Sequence, residues 1–260
     1  MCSPRLDLGQ FGNMKITKDF LLQENQVVQM YIKDDFEFDD DVYAIFSVDN
    51  CEHGKSIVCH LKHGIFFVDR TSVKLINSYW KHNFRGFLIS KAIARISKLT
   101  DHLPLVDGHI VYVPMSGKRS RNPDWVGLHH VEDYSEFAGK ATIKTTGGML
   151  LQLNICGMSL QKKVHDGSFM SEFHLGIITN TVRRYGSFKV DSSKAGITNK
   201  FIHCSCRFHS LIPRSEEEVH QFWSNLFTVL FNELAKSDVT MSVAKSFRVI
   251  SSLFNKVRRW

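Results

Sequence analysis

Pro114 fixes where a strand must stop, and that boundary organises the middle of the chain. An apolar run from His109 to Val113 leads into it, and proline cannot donate to a sheet ladder, so the strand ends there. Apolar–polar alternation resumes at Trp125 and runs to Val131. As a strand it sets Trp125, Gly127, His129 and Val131 on one face and Val126, Leu128 and His130 on the other. Between the two lies a turn with three cations, Lys118, Arg119 and Arg121, spaced by Ser116, Gly117, Ser120 and Asn122, and nothing acidic precedes Asp124. Small polar spacers leave cationic tips free to reach outward, and a loop held between two strands can be aimed. That pattern points to a polyanion, nucleic acid above all. A solvated surface turn is the competing reading, since blocks of like charge are often only exposed.

The β character extends over 42–157. Val42 to Val48 reads as a strand, and Ser56 to Leu61 pairs with Gly64 to Val68 across Lys62-His63-Gly64. Ala141 to Lys144 and Met149 to Ile155, joined by Thr145-Thr146-Gly147-Gly148, give the clearest hairpin. Thr71 to Phe87 is ambiguous: Val73, Ile76, Tyr79 and Trp80 suit a short helix, which Asn77, Asn83 and Gly86 weaken. Ala92, Ile93, Ile96 and Leu99 recur at helical spacing opposite Lys91, Arg95 and Lys98, although Phe87-Leu88-Ile89 could equally open a strand. Residues 159–186 read as helical in part, 187–199 as a polar loop, and Lys200 to Ile212 as a return to β.

After Pro213, Ser215 and Glu218 match a capping box, with Glu216 and Glu217 placed where a helix dipole favours anions. Val219, Phe222, Trp223, Leu226, Leu230 and Leu234 then form one apolar stripe, and Val243, Phe247, Ile250, Phe254 and Val257 form a second on a basic segment. The expected class is α+β, a mainly antiparallel β central region with C-terminal helices. The expected divisions are an acidic leader over 1–41, a β-rich body over 42–212 and a helical segment over 213–260.

A hydrophobic content of 43% and twenty Phe supply a real core. No apolar run approaches the roughly 20 residues of a membrane span, and no signal-like block opens the chain, so a cytoplasmic protein without membrane contact is expected. Six cysteines do not suggest a disulfide scaffold. Cys204 and Cys206 would share one face of a strand, and His203 and His209 make a metal site conceivable. No second Cys-x-x-Cys cluster completes a tetrahedral set, so ordinary small side chains are favoured and no cofactor is expected.

The net charge of +7 is unevenly distributed. Between Asp19 and Glu52 there are ten acids and one base; between Arg70 and Asn122 there are ten bases and two acids. The acidic block Asp34 to Asp41 reads as a solvated loop first, and otherwise as a shield over the basic face or a contact for a basic partner. Enzyme readings are weak. Asp69 or Asp124 could be drawn with His129 or His130, but no nucleophile motif accompanies them, and there is no phosphate-binding glycine loop. On one strand His129 and His130 would point oppositely and could not share a metal.

Phe67-Val68-Asp69-Arg70-Thr71-Ser72, Gly108-His109-Ile110-Val111-Tyr112-Val113-Pro114-Met115-Ser116 and Trp125-Val126-Gly127-Leu128-His129-His130-Val131, in this order and spacing, resemble the ComK family of bacterial competence transcription factors. The resemblance covers about residues 56–157, with Arg121-Asn122-Pro123 standing where the family has a directly adjacent Arg-Pro. It implies an oligomer, a dimer or tetramer on DNA, that binds paired A/T-rich boxes largely through the minor groove and activates DNA-uptake genes. It further implies contact with RNA polymerase and with an adaptor that delivers the protein to a Clp protease. The long extra segments at both ends depart from the family.

Narrow A/T-rich minor grooves concentrate negative potential and favour inserted Arg. Arg119 and Arg121 are the expected insertion residues, with Asn122 as a groove contact or a cap on the turn. Lys118, Arg70, Lys74, Lys81, Arg85, Lys91 and Arg95 are the expected phosphate contacts. Trp125 is expected in the core. The alternative is a non-enzymatic protein-interaction module that uses its acidic and basic faces.

Overall fold

Strands that are apolar on both faces need cover on both sides of a sheet, and Val42–Ser47, Ser56–His60 and Gly64–Val68 have it. The computed structural model describes residues 14–27, 30–48, 51–82, 84–99, 103–116, 121–155, 157–186 and 190–235. Their order is β1 (Lys15–Thr17), α1 (Lys18–Leu21), α2 (Glu24–Val27), β2 (Val42–Ser47), β3 (Ser56–His60), β4 (Gly64–Val68), α3 (Ser72–His82) and α4 (Phe84–Ser97). There follow β5 (Leu105–Asp107), β6 (Ile110–Pro114), β7 (Trp125–Gly127), β8 (Val131–Phe137), β9 (Lys140–Thr145), β10 (Leu150–Asn154), α5 (Leu160–Val182) and α6 (Glu216–Ala235). The fold is α+β, with antiparallel sheets in the middle and long helices towards the C-terminal part.

Six strands in the order β4-β3-β2-β7-β6-β5 make a sheet in which every neighbouring pair is antiparallel. Ala44, Phe46, Ile57, Cys59, Ile65, Phe67, Val111, Val113 and Val126 join one core with α4, α5 and a second sheet of order β1-β10-β9-β8. Ile45, Val58, Phe66, Val68, Tyr112 and Trp125 join another, with Leu75, Ile76 and Tyr79 of α3. That second core decides the ambiguous Thr71–Phe87 stretch: three apolar residues at helical spacing meet the sheet, and their burial outweighs the weak propensity of Asn77.

The described residues of the expected leader, 14–27 and 30–41, pack on the body and do not stand apart from it. Phe36 and Phe38 are 2% and 6% exposed in the α3-side core. Residues 31–33 dock on edge strand β4, where Phe67 donates to Tyr31 O and Lys33 donates to Phe67 O, both at 2.9 Å. The edge is thereby covered. Lys15–Thr17 adds a parallel strand to β10. The acidic block is therefore not a simply solvated loop, because its two aromatics anchor it.

The expected strand over 125–131 is interrupted. After β7 the chain makes a 3-10 turn, Leu128–His130, before β8 begins in the other sheet. Gly127 permits this crossing: a Cβ there would lie 2.9 Å from Val42 O and 3.0 Å from a Tyr112 ring carbon. The expected return to β over 200–212 does not occur either. Residues 192–201 and 209–211 form 3-10 turns, and the segment between them is irregular. Gly196, at φ +54°, would bring a Cβ within 2.6 Å of the Leu128 and His129 carbonyls, so this segment rests directly on the 128–130 turn.

The α6 cap forms as expected: Glu218 N donates to Ser215 Oγ and Ser215 N to a Glu218 carboxylate oxygen, both at 3.2 Å. Val219, Phe222 and Leu226 are buried. Leu230 and Leu234 have side chains outside the described set, and the basic stripe 243–257 lies outside the described residues. Among the described residues, no helix is long and apolar enough to cross a membrane.

Phe36→Ala should cost about 3–5 kcal/mol of unfolding free energy, as expected for a buried aromatic. Chemical denaturation measures this; a loss below about 1 kcal/mol would mean that residues 30–41 are not part of the body.

Candidate nucleic-acid interface

The cationic turn leaves the central sheet at the ends of β6 and β7, and both of its feet are tied down. On the first, Lys163 of α5, 2% exposed, donates from Nζ to Pro114 O at 2.8 Å. Proline has no N–H, but its carbonyl is a full acceptor, and a buried amine needs one. Met115 N closes the base by donating to Asp124 O at 2.8 Å. On the second foot, Ser72 Oγ donates to Pro123 O at 2.7 Å, and Asp124 Oδ1 accepts from Ser47 N at 2.7 Å and pairs with Lys18 at 3.0 Å. Asp124 is thus committed to the turn's base and is not placed for acid–base work with His129.

Arg121 is exposed on this turn, with Asn122 half-buried beside it; Lys118 and Arg119 lie outside the described residues. The Ser72–Pro123 bond sets the start of α3 against the same foot. That brings Lys74, exposed in the first turn of α3, to the end of the sheet that carries Arg121. No acid occupies that first turn, so the partial positive charge of the helix N-terminus adds to the cations. The nearby acid Asp69 is matched by Lys55 at 2.7 Å.

The other expected phosphate contacts are not gathered there. Arg70 turns inward: its guanidinium donates to Phe36 O, which suits a structural tie better than a phosphate contact. Arg95 is exposed and Lys91 half-buried on α4, whose apolar residues belong to the core on the opposite face of the sheet from α3. The side chains of Lys81 and Arg85 are outside the described set. Trp125 is 8% exposed in the core, as expected.

The acids Asp39–Asp41 are pinned at the opposite end of the sheet, so they do not shield the turn. Leu61 N donates to Asp41 O at 2.9 Å, Tyr112 donates to Asp39 O at 2.9 Å, and buried His60 holds the Asp39 carboxylate at 3.0 Å. His60 Nδ1 accepts from the Lys62 and His63 amides, so its Nε2 carries the proton. Burial works against the Asp39 charge, yet the hydrogen bonds from His60 and the Asp41 amide, with the nearby Lys62 charge, outweigh it and hold the carboxyl below its ordinary range. His129 and His130, expected on opposite faces, instead lie side by side with ring centres 4.2 Å apart. Both direct Nε2 at Asp40 O, at 3.0 and 2.6 Å. The 3-10 turn is the cause of that difference.

Among the described residues, two groups have metal-ligand types within 4.8 Å of one another. Asp39, Asp41 and His60 form one, but Lys62 pairs with Asp41, and the hydrogen bonds above already employ His60. The second is His165, Cys204, Cys206 and His209. His203, the expected neighbour, is exposed and not part of it. His165 takes its place from α5, 39 residues before Cys204 in the chain.

No family model matches the chain, and no curated protein and no solved structure matches it.

Burial lowers the proton affinity of two histidines well below 6.5: His129, helped by the adjacent charge of His130, to about 4, and His174 to about 3. Both are neutral in the fold and gain a proton on unfolding once the pH is below 6.5, so their contribution is complete above that value. It is lost as the pH falls from 6.5 towards 4 for His129, by on the order of 3 kcal/mol, and towards 3 for His174. Urea midpoints measured between about pH 7.5 and pH 4.5 should fall over that window; His129→Gln should flatten the fall, and an unchanged profile would refute the assignment.

Proposed function

We propose that this chain is a sequence-selective DNA-binding activator that takes A/T-rich duplex largely through the minor groove, with the turn between β6 and β7 as the inserting element. The observation that carries this reading is the double anchoring of the turn. Lys163 on one foot and Ser72 with Ser47 on the other hold the base of a segment that bears Lys118, Arg119 and Arg121. Anchored feet fix the point from which these cations would reach a narrow groove, and Arg is favoured where the groove potential is deepest. Lys74 and the start of α3 would then meet the adjacent phosphates. The charge separation along the sheet fits such an encounter, because Asp39–Asp41 sit at the far end, where they would not repel the duplex. The resemblance to the ComK family supports competence genes as the targets and an oligomer as the bound form.

Mobility-shift titrations over several salt concentrations test the reading. Arg121→Ala should cost about 1–3 kcal/mol on an A/T-box duplex and less on a G/C-rich one. Lys74→Ala should weaken both duplexes alike and reduce the salt slope by roughly one unit. A wild-type chain that ignores both duplexes in dilute salt, while retaining a protein partner through its acidic end, would favour a protein-interaction module instead.

A further inference from the structure

We propose that His165, Cys204, Cys206 and His209 form a zinc site that staples the irregular segment 202–209 onto helix α5. Three measured edges of the cluster fit a tetrahedron. His165 Nε2 lies 3.6 Å from Cys204 Sγ and 3.3 Å from Cys206 Sγ, and His209 Nδ1 lies 3.3 Å from Cys206 Sγ. Metal–sulfur lengths of about 2.3 Å and metal–nitrogen lengths of about 2.0 Å give tetrahedral sulfur–nitrogen edges of about 3.5 Å.

The outer partners are an independent observation. Each imidazole turns one nitrogen to the sulfurs and the other to a carboxylate. His165 Nδ1 lies 3.3 Å from Asp166 Oδ1, and His209 Nε2 lies 3.5 Å from Glu172 Oε1. Those last two atoms are buried and have no hydrogen-bond partner among the described residues, so the approach to each other is the polar contact each has. A carboxylate behind each histidine fixes its tautomer and raises its basicity, which is how metal-bound histidines are held. Two thiolates and two imidazoles at this size select zinc over the hard cations.

The local sequence explains why a metal is useful there. Ile202, His203, Ser205 and Arg207 face solvent, and only Phe201, Phe208 and His209 pack inward against His165 and Phe169. A segment with so little apolar area and no regular hydrogen bonding has few other means of holding one conformation. A Cys206–His209–Glu172 line could also be drawn as a nucleophile, a base and an orienting acid. That reading leaves His165 and Cys204, at the same sulfur centre, without a use.

The full-length chain, purified without chelator, should carry one zinc per molecule by elemental analysis. His203→Ala should leave that content unchanged, whereas Cys204→Ser and Cys206→Ser should abolish it. Glu172→Gln, which keeps all four donors, should weaken zinc roughly 10–100-fold in a chelator competition. Stripping the metal should lower Tm by roughly 5–10 °C. The wild type loaded with cobalt(II) should show intense tetrahedral visible bands and a near-ultraviolet thiolate charge-transfer band, a readout that needs no variant. A weak octahedral cobalt spectrum, zinc unaffected by both serine variants, or a metal-free chain whose Cys206 is rapidly alkylated would each overturn the proposal.

Discussion

Helix α5 is buried along most of its length although many of its residues are polar, and that constraint governs the molecule. A polar group withdrawn from water must find a partner or cost about 1–3 kcal/mol. Lys163 reaches Pro114 O, Ser168 reaches Thr198 O at 2.8 Å, and Ser171 reaches Gly108 O at 2.7 Å. His174 meets Ser90 Oγ at 3.0 Å, and Ser90 itself donates to Val106 O. Asn180 donates to Pro213 O at 3.3 Å. Each bond ties the helix to a different segment: the foot of the cationic turn, the 192–201 turn, the β5–β6 connection, α4, and the lead into α6. A wholly apolar helix could slide against its neighbours, whereas one with this set of acceptors has a single register.

The same spine links the two sites. Lys163 and His165 are two residues apart; one secures the turn proposed for DNA and the other supplies a donor to the proposed zinc centre. They reach different partners because the helix turns through about 200° over two residues. A staple on the 202–209 segment and a tie on the turn's first foot therefore act on one rigid element. Fixing α5 from the solvent side limits its freedom to withdraw Lys163 from Pro114.

Where local pattern and burial agreed, the fold was legible in the sequence. The hairpins at 56–68 and 140–154, the stop at Pro114 and the Ser215–Glu218 cap all rest on interactions between residues close in the chain. The strand expected over 125–131 broke because its neighbours are remote. Val42 and Tyr112 crowd Gly127, and segment 192–201 lies on the carbonyls of Leu128 and His129. The acidic block misled for a related reason. Its charge suggested a solvated loop, while Phe36 and Phe38, two residues apart, were the part that decided its place.

The cysteine pair shows how a site is hidden from a spacing rule. Cys204 and Cys206 with His209 supply three donors in six residues, and the missing one was sought nearby, at His203. In the irregular segment there is no strand to put alternate residues on one face, so Cys204 and Cys206 converge through the turns around them. His165 stands 39 residues before Cys204, on a helix whose neighbouring Phe169 and Phe173 belong to the core. What marks it is a pair of acids on the same helix, Asp166 beside it and Glu172 two turns further on. Asp166 and Glu172 are carboxylates on a mostly buried helix, and burial of a charge demands a cationic or proton-donating partner. Lys162 serves Asp166 at 2.8 Å, whereas Glu172 faces His209. A half-buried acid with no lysine or arginine within one helical turn, on a helix whose other positions are largely core, is thus the signal that sequence patterning could have used to direct the search for the fourth ligand to α5.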